Sequence, residues 1–229
     1  MTTFTDDTFN FFAALRFNNN REFFHDNREW YRTSVREPAL HLAEKLAPYM
    51  RDLDPLLETR PNKAVSRINR DIRFSHDKSP YRDYIWLAFR RPQPEKSTTM
   101  GAYFDLSDNG ASFGIGIYRE NRPLMNGLRR AILTDWKALD ACILRAEREF
   151  TLHCEVFKRK KLPEGLSERQ KLWYSMRSFY FEKEIADFDL LKSDTLAEYI
   201  MHSLEDTKPL YRYISRIAPL ENDPWEEIV

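Results

Sequence analysis

The segment from Ser66 to Arg82 concentrates side chains that can bind an anion. Its basic residues outnumber its acidic ones, although the 36 basic and 36 acidic residues of the whole chain balance. The basic residues are Arg67, Arg70, Arg73, Lys78 and Arg82, and the acidic ones are Asp71 and Asp77. Guanidiniums spaced three residues apart are costly to bring together unless carboxylates pair with them or an anion binds. The segment therefore marks a candidate site without naming its chemistry.

The same segment predicts a β-strand over Ser66–Ser75. Ile68, Ile72 and Phe74 occupy even positions and polar residues occupy the odd ones, as on a strand with one face on a core. Arg70 interrupts this alternation, which a bulge near that residue would explain.

A strand in this place would give the polar residues a shared face. Arg67, Asn69, Asp71 and Arg73 would lie there, with neighbours ~7 Å apart, so that Asp71 can hydrogen-bond both flanking arginines. Guanidiniums held in this way suit a phosphate or a carboxylate. A following turn would bring further groups to the rim. The candidate ligand-binding residues are Arg67, Asn69, Arg70, Asp71, Arg73, Lys78, Tyr81 and Arg82.

Two other interpretations of these charges stay open. They can form an internal network that ties the sheet to the N-terminal helices, in a module that binds no ligand, or they can be a solvated sheet face. Under the network hypothesis Arg73→Ala would cost ~3–5 kcal/mol, because Asp71 would be left buried and unpaired. Under the ligand hypothesis it would abolish binding with little loss of stability.

Catalysis and metal binding receive less support from the sequence. Asp71, Asp77, His76 and Tyr81 are candidate acid–base groups, but no recognisable nucleophile accompanies them. Ligand spacing typical of a metal site is absent, since the histidines are scattered: His25, His41, His76, His153 and His202. We therefore expect no metal site, leave the cofactor unknown, and leave open whether the protein is an enzyme acting on a phosphorylated compound.

Nucleic-acid binding is the weakest of the alternatives. The run Lys158–Lys161 is basic, yet four consecutive charges are more often a solvated turn. A net charge of zero provides no overall field that would attract nucleic acid or anionic lipid. An anionic small molecule is the expected partner, and the sequence does not indicate an oligomeric state.

The arrangement of periodic segments predicts one α+β domain over residues 1–229, with an antiparallel meander of about four strands between N- and C-terminal helices. Asp108-Asn109-Gly110 predicts a hairpin turn, and Tyr84–Phe89, apolar on both faces, a central strand. Further short strands are predicted at Phe150–Phe157 and Phe179–Phe181. Gly114 and Gly116 leave a bare strand face that a helix could approach.

Helical spacing is found on both sides of these strands. A stripe from Tyr31 to Leu46 contains Pro38, which predicts a kink or a meeting of two helices there. A longer stripe runs from Leu124 to Ile143. Two further helices are predicted at Leu196–Leu204 and Leu210–Ile217. We expect Pro92–Thr99 to be a loop and Glu221–Val229 to be loosely held.

The location expected from the sequence is the cytoplasm. Cys142 and Cys154 are the only cysteines and form no CxxC pair, which is typical of reduced thiols. The first residues lack a basic region followed by an apolar run, and no apolar window is long enough to span a membrane.

Arg67–Tyr81, R-I-N-R-D-I-R-F-S-H-D-K-S-P-Y, resembles the hallmark of a family of conserved bacterial proteins known only as a domain of unknown function. Phe11–Phe24 with Asn27–Tyr31, Gly101–Tyr118 and Phe157–Gly165 also resemble parts of this family. The resemblance covers nearly the whole chain. It implies a single compact cytoplasmic domain and supplies neither an activity nor catalytic residues.

Overall fold

Helices and strands combine in the α+β class expected from the sequence. The computed structural model describes residues 3–73, 76–92, 100–118 and 120–217. The helices are α1 (Asp6–Phe17), α2 (Arg21–Asp26), α3 (Arg28–Tyr31), α4 (Glu37–Leu53), α5 (Pro61–Ala64), α6 (Arg122–Thr134), α7 (Trp136–Ala146), α8 (Glu168–Ser175), α9 (Phe188–Lys192), α10 (Leu196–Leu204) and α11 (Lys208–Ile217). The strands are β1 (Tyr84–Phe89), β2 (Gly101–Ser107), β3 (Gly110–Ile117), β4 (Thr151–Val156) and β5 (Met176–Ile185).

The antiparallel sheet has five strands in the described residues, one more than expected, in the order β1-β2-β3-β5-β4. The first three follow one another as a meander, and the last two are exchanged, so that β5 lies beside β3. The β2–β3 hairpin turns at Asp108 and Asn109 as predicted, and Gly110 has φ +125°. Such a φ is accessible to glycine at little cost, which explains why this tripeptide makes the turn.

The strand predicted over Ser66–Ser75 is wrong for its described part. Residues 66–73 form no strand and take part in an isolated bridge, Asn69↔Tyr81. Phe74 and Ser75 lie outside the described residues. Across this bridge the partner segment contains Pro80, whose nitrogen carries no hydrogen, so a continuous ladder cannot form. Ile72 is also exposed, which removes the apolar face on which the prediction depended.

The sequence predicted that β1 is a central strand, but β1 lies at one end of the strand order. Its burial alternates, with Ile85 and Leu87 in the core and Tyr84 exposed. Val65 forms a bridge with Leu87, and the amide of Ser66 donates to the carbonyl of Trp86 over 2.8 Å. The chain just before the basic segment therefore covers this edge, which accounts for the apolar character of β1.

Two prolines lie in α4, and the helix continues through both of them. A π-helical turn, Arg32–Arg36, precedes α4, and Pro38 stands in the first turn of α4, where its missing N–H is tolerated. The junction between this turn and α4 thus lies next to Pro38, where a kink or a meeting of two helices was predicted. Pro48 lies inside α4 without ending it. In the later stripe, a break at Asp135 divides the expected single helix into α6 and α7.

Strand β5, which lies beside β3 in the sheet, supplies the atoms nearest to a Cβ at Gly114 and Gly116, where the sequence had suggested that a helix could approach. A Cβ atom at Gly114 would overlap the carbonyl of Phe181, and one at Gly116 would overlap the Cβ of Tyr180. Both contacts are with β5. The two glycines thus allow the backbone of the neighbouring strand to approach more closely than any side chain would permit.

The chain divides into two compact units. The first comprises Met1–Phe89, Tyr103–Phe113 and Glu184–His202, and the second comprises Arg90–Ala102, Gly114–Lys183 and Ser203–Val229. The expectation of a single domain stays a prediction. None of the helices in the described ranges has the length and apolar character needed to cross a membrane. The predicted loop, apart from Pro92, and the predicted loose tail fall outside the described residues.

Gly114→Ala is expected to destabilise the protein by more than about 3 kcal/mol, because the new methyl group overlaps main-chain atoms that cannot turn aside. Gly165→Ala is the matched control. Nothing lies within 4 Å of a Cβ atom there, and the cost is only that of its φ of +80°, about 1–2 kcal/mol. Urea denaturation of both variants measures the difference. A Gly114→Ala variant as stable as Gly165→Ala would contradict the close strand approach.

Candidate functional site

The basic segment is anchored through Tyr81. The Tyr81 amide donates to Oδ1 of Asn19 over 3.1 Å, and Nδ2 of Asn19 donates to the Tyr81 carbonyl over 3.0 Å. The Tyr81 ring is buried and stacks on Phe24 at 4.2 Å between centroids. Asn19 lies two residues after the end of α1, and Phe24 lies in α2. The predicted site residue Tyr81 is therefore held between N-terminal helices.

Arg70 belongs to a chain of ion pairs that we call the Arg70 network: Asp77, Arg70, Asp83, Arg16 and Asp108. Arg70 lies 2.7 Å from Asp77 and 3.8 Å from Asp83, and Arg16 lies 2.9 Å from Asp83. The Arg70 side chain is 23% exposed. The hydrogen bond from Arg16 to Asp83 is the main cause that raises the pKa of Arg16. In this part of the charged cluster, the arginines are paired with carboxylates of the protein itself.

Arg73 and Asp71 form a separate, exposed pair. Two N–H groups of Arg73 donate to the two oxygens of Asp71 over 3.0 and 2.7 Å. The hydrogen bond from the Arg73 side chain is the largest of the causes that lower the pKa of Asp71 to about 2. Arg67, the second partner expected for Asp71, forms no ion pair within the described ranges. The buried Asp71 of the network hypothesis is also wrong, since the residue is exposed.

Within the described ranges, Arg67 and Arg82 form no ion pair with a carboxylate, unlike Arg70 and Arg73. The Arg67 side chain is exposed, and Nη1 of Arg82 donates to the Arg67 carbonyl over 2.7 Å. The guanidinium of Arg82 lies 4.4 Å from the ring centroid of Trp86, in a cation–π contact. Trp86 in turn stacks on Tyr84 at 6.0 Å.

The structure thus divides the eight predicted site residues. We define the Arg82 surface as the exposed or half-exposed groups Arg67, Asp71, Arg73, Arg82 and Trp86. Arg82 helps to lower the pKa of Asp71 through its charge, so the exposed pair lies within its electrostatic reach. Arg70, Asn69 and Tyr81 are held by main-chain or network contacts, and Lys78 donates to the carbonyl of Ile72 over 2.9 Å.

Sequence reasoning missed five residues that position this surface: Arg16, Asn19, Phe24, Asp83 and Trp86. Arg16 is 67 residues distant from Asp83 in the chain, so no local spacing could reveal their pairing. Trp86 had a detectable signal, because it alternates with buried residues of β1 and so faces away from the core.

Tyr81 also lines an open depression of about 590 Å³. Its other lining residues are Arg21, Glu22, Phe24, His25, Asp26 and Arg28. Their charges are mixed, so no net attraction for an anion or a cation results. No three His, Cys, Asp or Glu side chains come together to hold a metal ion in the part of the chain that the structure describes.

A comparison with protein families matches residues 7–213 to the family described as conserved hypothetical protein (DUF2461). The match includes the basic segment and most of each unit. It confirms the inferred resemblance to a family of unknown function. No curated protein matches the chain.

Arg70→Met is expected to lower the free energy of unfolding by about 2 kcal/mol, because Asp77 and Asp83 lose charge-assisted contacts in a half-buried place. Arg73→Met is the matched control and should cost less than Arg70→Met does, because its pair is exposed. Methionine retains much of the apolar stem in both. Urea denaturation measures the free energy of unfolding of both variants. An equal or larger loss for Arg73→Met would contradict the division into a half-buried Arg70 network and an exposed Arg73 pair.

Asp71 is expected to titrate at about 2, below its ordinary value of 3.8, because the charged form accepts hydrogen bonds from Arg73. The stabilisation by this pair is complete above the ordinary value and is lost as the pH falls through about 2. Carboxyl-carbon NMR measures the titration. Arg73→Met should return the pKa towards 3.8, whereas Arg60→Met, which removes the partner of Glu58, should leave Asp71 unchanged. Titration of the wild-type group near 3.8 would contradict the pair.

Proposed function

Because the chain belongs to the DUF2461 family of conserved hypothetical proteins, whose description names no activity, we propose a function from its own side chains. The protein binds a small molecule bearing a phosphate or a carboxylate at the Arg82 surface. The observation that carries the proposal is that Arg67 and Arg82 have no carboxylate partner in the described ranges, while Arg70, in the same segment, has two.

Arg82 is suited to this role because its neighbours orient it without neutralising it. Its hydrogen-bond acceptor, the Arg67 carbonyl, is uncharged, and so is the Trp86 ring that its guanidinium contacts. Two contacts thus fix a planar guanidinium, and N–H groups remain for a ligand. A fixed guanidinium loses less conformational entropy on binding than a mobile one.

Arg73 supplies a third cation that Asp71 holds in place. The pair is exposed, so the ligand can reach the outer edge of the guanidinium without displacing buried groups. Phosphate and carboxylate both accept parallel N–H donors from arginine. Arg67, Arg73 and Arg82 would contact the ligand, and Asp71 would orient Arg73.

In this proposal the other predicted residues support the surface. Arg70, Asn69 and Tyr81 hold the segment to the N-terminal helices, and Lys78 holds its own loop. The competing hypothesis of an internal network describes Arg70 well. It leaves the exposed Arg67 and the oriented Arg82 without a role, and for that reason we prefer ligand binding.

We place this binding in the cytoplasm, because Cys142 and Cys154 are both free thiols, as is usual in a reducing compartment. Nucleic acid is a less favoured ligand than a small molecule, because the exposed cations of the surface are few and Asp71 lies among them. The proposal is one of recognition and includes no catalytic step.

A thermal-shift screen at low salt tests the proposal. The change in Tm on addition of each compound is compared between wild type and the Arg67→Gln/Arg82→Gln double variant. The compounds are inorganic phosphate, nucleotides, sugar phosphates, dicarboxylates and short single-stranded DNA. A ligand of the Arg82 surface at about a hundred times its dissociation constant should stabilise wild type by ~2.7 kcal/mol more than it stabilises the double variant.

Arg60→Gln is the control, because it removes an exposed arginine paired with Glu58 outside the surface. It should respond to the ligand as wild type does. The phosphates and the dicarboxylates separate the two ligand chemistries. An equal shift in the double variant, or no shift of wild type with any compound, would overturn the proposal.

A further inference from the structure

A second arginine is buried away from the Arg82 surface. Arg129, on α6, is 7% exposed. Its Nε donates to the carbonyl of Tyr174 over 3.0 Å, Nη1 donates to Oδ1 of Asn126 over 2.8 Å, and Nη2 donates to the carbonyl of Met176 over 2.6 Å. Every one of these acceptors is uncharged. The guanidinium is therefore solvated by dipoles and not by a counter-ion.

No carboxylate forms an ion pair with Arg129 in the described ranges. Glu120 acts on it through its charge, but Glu120 already pairs with Arg122 at 3.0 Å. Burial disfavours the charged form of Arg129 and so lowers its pKa. A buried cation without a counter-ion is unusual, because its desolvation is repaid only in part by neutral acceptors.

A second cation lies beside it. The Arg129 guanidinium is 5.6 Å from the centroid of the Phe157 ring and 5.9 Å from that of Tyr174. The ammonium of Lys160 is also 5.6 Å from the Phe157 centroid. Two positive charges thus share one aromatic ring. Partial burial and the charge of Arg129 lower the pKa of Lys160.

The structure singles out Lys160 from the basic run that the sequence had marked. Lys158, Arg159 and Lys161 are exposed, whereas Lys160 is half-buried against Phe157. A solvated turn would explain the three exposed residues. It does not explain why one lysine turns inwards towards a buried arginine that repels it.

We propose that Arg129 and Lys160 form a binding site for a dianionic phosphate group. The two charges match a dianion, and a monoanionic carboxylate would leave one of them without a counter-ion. Of the five N–H groups of a guanidinium, three have protein acceptors here, and the others remain for phosphate oxygens. The Phe157 and Tyr174 rings would exclude water from the ion pair and so strengthen it.

A structural role for Arg129 explains only part of this arrangement. Tyr174 lies in the last turn of α8, so a cation that binds its carbonyl complements the negative end of the helix. That role accounts for the burial of Arg129. It gives no reason for the second cation, which destabilises the site until an anion binds.

Titration with inorganic phosphate, followed by isothermal calorimetry, tests the site. Lys160→Gln should weaken phosphate binding by at least about tenfold, since it removes a charge-assisted contact. Lys158→Gln is the matched control, two residues away and exposed, and should bind as wild type does. Benzoate should bind the Arg67→Gln/Arg82→Gln double variant at least about tenfold more weakly than phosphate does, because it carries one charge.

The Arg67→Gln/Arg82→Gln double variant makes this inference independent of the proposed function. It should retain the phosphate binding that Lys160→Gln loses. Reductive methylation with ¹³C provides a local readout, since the dimethyl-Lys160 resonance should shift on addition of phosphate. Three outcomes would overturn the site. Wild type would bind no phosphate, the Lys160→Gln and Lys158→Gln variants would bind it with equal affinity, or the double variant would lose all binding.

Discussion

The pair of hydrogen bonds between the Asn19 side chain and the main chain of Tyr81 fixes the position of the whole basic segment. The isolated bridge between Asn69 and Tyr81 cannot extend past Pro80, which has no N–H donor, and the Tyr81 amide donates to Asn19 instead. Arg82 follows directly and is set on the opposite side, where its amide binds the carbonyl of Ile68 and its side chain reaches Trp86. The Asn19 side chain, just after α1, thus joins the basic segment to the N-terminal helices.

The distribution of carboxylates then gives similar arginines different roles. Arg70 lies between Asp77 and Asp83 in a half-buried place, where attraction is stronger than in water and removal of a partner is costly. Arg73 and Asp71 are exposed, so their pairing contributes little to stability even though it shifts the Asp71 pKa to about 2. Arg67 and Arg82 have no such partner in the described ranges. A segment that is uniform in composition is therefore divided by burial into scaffold and surface.

The same physical argument applies in the second unit. Neutral carbonyls and an amide solvate Arg129, and the nearby charge is the like charge of Lys160. Desolvation and repulsion both disfavour this arrangement, and the anion that we propose would relieve both. Sequence alone could not have paired these residues, because 30 positions separate them and α7 and β4 lie between.

The sequence by itself determined the α+β class, the β2–β3 hairpin, and α10, whose predicted bounds of Leu196 and Leu204 are those observed. These features depend on local turn chemistry and on apolar periodicity, which act within a few residues. Tertiary structure alone decided that residues 66–73 form no strand, that β1 lies at an edge, and that β5 packs on Gly114 and Gly116. It also decided which of the eight predicted residues share a surface. Ion pairs and bridges join atoms that are near in space and far apart in the chain, and alternation along one segment cannot encode the position of its partner.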